Sequence, residues 1–269
     1  MNKEIANKII NRLGVISFIE IIQILNGLRL SCRISTILVE EHFINEIVEI
    51  LGLHYIRSQY PILDTDNFSH NKSFKLDSTN NSLHKYYYYV GINEAVVNIT
   101  YLSEGSNTSR QGALFGYPNC CINFFESKLK ASLNDLTYEV DSSSNNYIFW
   151  NNRIAKCVGY CLISHFPCSW DCMATQLIAK QTYSHLYDIV PDIADKCLDF
   201  QKQNIFYSTE HIVFPDKCLS VKLNRIEKSL KCKINDENKL INIDNKIYSN
   251  YEGRIILMDS YIILPFNDN

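Results

Sequence analysis

Two short segments carry most of the residues able to do chemistry. The first is Gly116-Tyr117-Pro118-Asn119-Cys120-Cys121, and the second is His165-Phe166-Pro167-Cys168-Ser169-Trp170-Asp171-Cys172. The chain has ten cysteines, and six of them fall between positions 120 and 172. A small secreted scaffold would pair such thiols as disulfides. This chain of 269 residues is too large for that class and shows no apolar export signal. Clustered thiols in a reducing compartment serve metal binding or catalysis instead.

Each segment reads as the start of a helix. Gly116 and Pro118 mark a turn, Asn119 suits an N-cap, and Phe124 and Phe125 supply a face to bury behind it. Pro167 closes the preceding segment, and Ser169 suits the N-cap of a helix running toward Tyr187. Free backbone N–H groups and the positive end of a helix dipole stabilise thiolates at both places. Cys120, Cys121, Cys168 and Cys172 are therefore the candidate metal ligands, with His165 as a further or alternate ligand.

Soft thiolates select zinc or iron–sulfur chemistry. The paired Cys-x2-Cys knuckle of structural zinc sites is missing, as are the ferredoxin spacing and the CxxxCxxC of radical enzymes. An iron–sulfur cluster is the expectation, with zinc as the alternative. Adjacent cysteines seldom both serve one ion, so one of Cys120 and Cys121 is open to act as a reactive thiol. The candidate catalytic residues are His165 as proton carrier, Cys121 as thiol, and Asp171 as general base or outer hydrogen-bond acceptor. Three functions fit: a metal-dependent enzyme acting on a small molecule, a metal-free enzyme with a cysteine nucleophile and His165, or a non-catalytic module that zinc stabilises.

Other residues of the same types have plainer roles. Cys157 and Cys161 are four apart and are expected on one helix as buried small hydrophobes. Cys32, Cys197, Cys218 and Cys232 read as isolated thiols, and His42, His185 and His211 as surface or capping histidines. Arg110, Gln111, Arg153 and Lys156 could bind an anionic substrate, although each also suits an ordinary surface position.

At the two motifs the sequence resembles a group of uncharacterised prokaryotic proteins that share a GYPxCC element and an HxPCSxxC element. Here these stand as Gly116 to Cys121 and His165 to Cys172, and the likeness covers roughly residues 85 to 200. The resemblance implies that the two elements form one site. It supplies no reaction.

The surrounding pattern indicates an α+β protein. Residues 1–63 read as a small α/β region: helices over 3–13 and 16–27, a strand over 28–37, a helix from Val39 to Leu51 stopped by Gly52, and a strand from His54 to Ile62. Residues 64–84 are rich in Asp, Asn, Ser and His and read as a polar loop or insert. Residues 85–204 form the mainly helical Cys-motif core, opened by a strand over the four-tyrosine run Tyr86 to Tyr89. Residues 205–269, with short alternating runs between Asp and Asn clusters, read as a small β region. A net charge of −3, with no basic stripe, argues against nucleic acid as a partner. No apolar run of about eighteen residues is present, so no membrane span is expected. The expected setting is the cytoplasm and the expected partner a small-molecule substrate, with the oligomeric state left open.

Overall fold

The computed structural model describes residues 1–62, 84–131, 136–208, 211–214, 217, 219–222, 240–243, 246–251, 254–257 and 262–266. The polar stretch 64–84 lies outside them apart from His84. The described chain is an α+β fold with the helical segment in the middle.

The first 27 residues hold two helical stretches that meet at a kink, close to the two helices the sequence suggests. Helix α1 runs Lys3–Leu25, capped by the Asn2 side chain, and is broken internally at Gly14 (φ 84°). Positive φ costs a glycine little, so the chain turns there and resumes the helix without an intervening loop. Strand β1 (Ser31–Ile37) follows, then α2 (Glu41–Leu51), which ends on left-handed Gly52 as expected. Strands β2 (His54–Arg57) and β3 (Lys85–Gly91) complete an antiparallel sheet of order β1-β3-β2. The tyrosine run alternates across this sheet. Tyr86 and Tyr88 join the main core with α1 and α2, whereas Tyr87 and Tyr89 pack with Val97 on the other face. That is the side-chain period of a strand buried on both sides.

Helices α3 (Glu94–Ser103), α4 (Thr108–Leu114), α5 (Asn119–Ala131) and α6 (Leu136–Ser142) lead to a stretch of 3-10 turns and irregular chain up to residue 172. Helices α7 (Met173–Tyr187) and α8 (Pro191–Gln201) then pack against one another and back onto α1. Buried Gln23 of α1 fixes this arrangement by donating to the Leu162 carbonyl (3.1 Å) and to Thr182 Oγ1 (2.8 Å).

The C-terminal β region is present as two antiparallel sheets. One joins β4 (Ile205–Tyr207), β5 (His211–Phe214), β6 (Leu219–Lys222) and β10 (Ile262–Leu264) in the order β10-β4-β5-β6. The other joins β7 (Leu240–Ile243), β8 (Lys246–Tyr251) and β9 (Arg254–Leu257) in sequence order. Residues of β4, β5 and β10 form a second core with Val140, Phe149, Ile154, Trp170 and Phe266. Trp150 and Phe200 pack against both cores. No helix among the described residues is long and apolar enough to cross a membrane.

Candidate metal centre

The double-cysteine turn is set by a close backbone approach. Helix α4 ends with Gly116 N–H donating to the Ala113 carbonyl and Tyr117 N–H to the Gly112 carbonyl, both at 3.0 Å. Gly116 has φ 71°, and a Cβ there would sit 2.2 Å from the Leu28 carbonyl oxygen. Only glycine satisfies both conditions. The contact seats the turn against the chain leaving α1, where Leu30 N–H also donates to the Leu114 carbonyl (3.0 Å). Pro118 then begins the next helix, accepting from Ile122 N–H at 3.0 Å. Asn119 is thus already inside α5, one position later than a cap. Cys120 and Cys121 occupy the first turn, the former exposed and the latter buried.

The second segment is held from several sides. Trp170 is fully buried and meets the Phe266 ring edge-to-face, with centroids 5.3 Å apart. Its backbone N–H donates to Ser144 Oγ (2.6 Å), and its backbone carbonyl accepts from Ile148 N–H (3.0 Å). Buried Asn151 donates from Nδ2 to the carbonyls of Trp170 (3.1 Å) and Cys172 (3.0 Å). The Arg153 guanidinium lies 3.7 Å from the Phe166 ring centre, just ahead of Pro167. Ser169 closes a turn with Cys172 N–H (3.2 Å), and the N-cap position belongs to Cys172. The sequence places that cap at Ser169; the chain spends one more turn before the helix starts.

These supports bring four thiols together. Sγ of Cys120 and Cys121 are 3.9 Å apart, Cys120 and Cys172 3.7 Å, and Cys121 and Cys172 3.7 Å. Cys168 completes a set whose sulfurs all lie within 4.8 Å of one another. Four thiolates bound to one tetrahedral ion at about 2.3 Å would be separated by about 3.8 Å. The described geometry is therefore compatible with a bound metal, and both neighbouring cysteines face the same space.

The electrostatics of the set are unequal. Hydrogen bonds from Cys121 and Cys168 stabilise the Cys172 thiolate and hold its pKa far below the usual thiol value, and the Thr175 hydroxyl and N–H add to this. Hydrogen bonding to Cys168 and then to Cys172, together with burial, pushes Cys121 strongly up. Cys168 is raised to about 12, where donation to Cys172, burial and the negative charge nearby outweigh the opposing contact with Cys121. Without an ion, negative charge gathers on Cys172, at the positive end of α7.

Thr175 connects this set to His165. Its Oγ1 lies 3.4 Å from Cys172 Sγ, 3.3 Å from Cys121 Sγ and 2.9 Å from His165 Nε2. A hydroxyl has a single proton. Once that proton is given to the Cys172 thiolate, Thr175 accepts from His165, which assigns the imidazole proton to Nε2. Burial, followed by the charge of Arg29, lowers the His165 pKa to about 3, so the ring is neutral at neutral pH. His165 stands behind Thr175 and is not one of the residues whose ligand atoms group within 4.8 Å. Asp171 is half-buried beside Cys172; among the described residues its side chain makes no hydrogen bond or ion pair, and it too lies outside that set.

Cys157 and Cys161 are not on a common helix. A 3-10 segment, Arg153–Val158, ends on left-handed Gly159, and Cys161 lies beyond it, buried and donating to the Ile163 carbonyl (3.1 Å). Gly159 supplies the stop that the four-residue spacing concealed. Cys32 and Cys197 are buried and outside the cluster, and Cys218 and Cys232 lie outside the described residues. Arg110 is exposed, and Gln111 donates to Glu104 (2.7 Å). Arg153 is buried near the second motif, with Lys156 three residues on.

The sequence did not single out Thr175, Asn151, Tyr117 or Arg29. Thr175 had one usable signal, its position three residues after Cys172, which puts both on one helical face. Asn151 and Arg29 are brought in by tertiary packing and had none. Compared with known protein families, with curated proteins and with solved structures, the chain finds no match.

Proposed function

We propose that Cys120, Cys121, Cys168 and Cys172 bind one metal ion, and that the protein is a metal-dependent enzyme acting on a small molecule at this centre. The observation that carries the proposal is the sulfur spacing: 3.7, 3.7 and 3.9 Å among three of the thiols. A cubane cluster gives each thiolate its own iron and spreads the sulfurs beyond mutual contact. The spacing favours a single ion, iron in a mononuclear four-thiolate centre or zinc. Bound there, iron would supply redox chemistry and zinc a Lewis acid.

The chain's own residues support a reactive centre. Cys120 is the exposed member, so a substrate would approach from its side. Thr175 holds Cys172 and Cys121 by their sulfurs, and neutral His165 in turn holds Thr175. The resemblance to proteins carrying both motifs supports treating them as one site.

A second reading is a zinc-stabilised binding module without catalysis. It is favoured by the supply of four protein ligands, because closed coordination is typical of structural sites. A metal-free enzyme using the Cys172 thiolate, in place of the Cys121 expected from sequence, is the third. Anaerobic purification with metal analysis, labile-sulfide assay and a visible spectrum separates them. The proposal expects about one ion per chain, abolished by Cys121→Ser or Cys172→Ser. An ion-free protein inactivated by alkylation of a single thiol would overturn it. Stoichiometric zinc that survives substrate screening with all four thiols blocked to alkylation would favour the binding module.

A further inference from the structure

Cys120 differs from the other three thiols in its exposure and in what touches its sulfur. Cys121 is 2% exposed and Cys172 7%, whereas Cys120 is exposed and Cys168 half-buried. Both buried sulfurs touch Thr175 Oγ1, at 3.3 and 3.4 Å, and Cys172 also accepts from the Thr175 backbone N–H. Cys168 makes its side-chain contacts with Cys121 and Cys172. Among the described residues no N–H or hydroxyl group hydrogen-bonds the Cys120 sulfur. Its partners are the thiols of Cys121 and Cys172, at 3.9 and 3.7 Å.

A bound divalent ion would supply sulfur already freed of its proton at neutral pH. The thiolate is the nucleophilic form of cysteine. Four thiolates around one such ion carry surplus negative charge, and hydrogen bonds to a thiolate stabilise that charge and lower its reactivity. Thr175 does this at Cys172, and burial closes Cys121 to approach. Cys120, in the first turn of α5, has neither restraint. A sulfur that has lost its proton needs no general base. Neither His165 nor Asp171 belongs to the grouped set, and His165 faces Thr175.

We propose that Cys120, in place of the buried Cys121, is the nucleophile of this centre, and that its substrate class is the alkyl donor, a small molecule with a saturated carbon bearing a leaving group. This inference rests on the metal site proposed above. Cys120 Sγ attacks the carbon from the side opposite the leaving group. The S–C bond forms as the bond to the leaving group breaks, and that group departs with the bonding electron pair. Cys120 becomes a thioether, and one donor is consumed per chain. Among the described residues no proton donor other than the neighbouring thiols touches Cys120, so the leaving group must be stable without a proton.

Alkylation of the full chain by iodoacetamide at about pH 7 tests this, with metal content measured before and after and the modified sites located by peptide mapping. Cys120 should take one carbamidomethyl group as iodide leaves, and the ion should stay with the chain. Cys121 and Cys172 react only through local opening and should be slower by at least about tenfold. Excess free ion should leave the Cys120 rate unchanged, because the bound sulfur is the one that reacts. Cys120→Ser should abolish this modification without exposing the other three thiols. Suppression by free ion, or labelling of all four thiols together as the ion is lost, overturns the proposal. One ion per chain with all four thiols unreactive overturns the nucleophile and leaves the metal site standing. A chain that takes up no ion removes the metal site and the nucleophile alike.

Discussion

At the scale of single residues, the thiol set depends on one hydroxyl. Thr175→Val keeps the shape and removes the only side chain that joins Cys121, Cys172 and His165 among the described residues. Loss of such an outer hydrogen bond typically costs about 10–100-fold in metal affinity. Competition with a chromophoric chelator should show that loss while circular dichroism stays unchanged. Lys156 provides a second residue-scale prediction. Its folded pKa is lowered from 10.5 to about 8, so between those values the unfolded chain holds a proton that the folded chain has released. Stability contributed at this position therefore rises with pH across the window and is lowest below pH 8. At about 1.4 kcal/mol per pKa unit, discounted for partial exposure, the effect is about 2 kcal/mol. Denaturant melts at pH 7.5 and 10 should show Lys156→Met stabilised relative to the parent at the lower pH, with most of that difference gone at the higher.

At the scale of elements, the site consists of two helix N-termini, and their legibility differed. Cys120, Cys121, Cys168 and Cys172 were readable as one candidate set because turn residues and thiols coincide at both of them. The start of α5 came out within one residue. The start of α7 did not, because Trp170 anchors the chain in the second core and delays the helix to Met173. Hydrophobic periodicity suggests regular helix over residues 147–164, where 3-10 turns and irregular chain stand instead; buried side-chain amides such as Asn151 and Asn152 hold that path, and they are invisible to a hydrophobic pattern. The two helical stretches within residues 3–25 were legible, because Gly14 interrupts the hydrophobic pattern at the position where the backbone kinks. The α+β class, the stop at Gly52 and the tyrosine strand followed from local rules and hold. Gly116 is the element-scale test. Gly116→Ala places a methyl against the Leu28 carbonyl, and the α4–α5 turn must move away from α1. We expect a loss of about 2–4 kcal/mol in denaturant melts, with increased alkylation of Cys121, whereas Gly159→Ala, with open space around it, should cost less.

At the scale of the whole molecule, the thiol cluster lies between elements of the two cores. α7 carries Thr175 and belongs with α1 in one core, while Trp170 and the C-terminal strands form the other. Chelation should therefore be felt in both: hydrogen exchange should accelerate in α5 and around 165–172 together, and the melting temperature should fall by several degrees. The distance along the chain makes this more than a local loss. Cys121 and Cys172 are 51 positions apart, yet their sulfurs are 3.7 Å apart. Anything that ties them acts as a staple on the denatured ensemble, removing conformations from a loop of that length. For a covalent tie the chain-entropy relation gives about 4 kcal/mol at 25 °C. Much of what an ion contributes here would thus be felt by the unfolded polymer, as freedom denied to it.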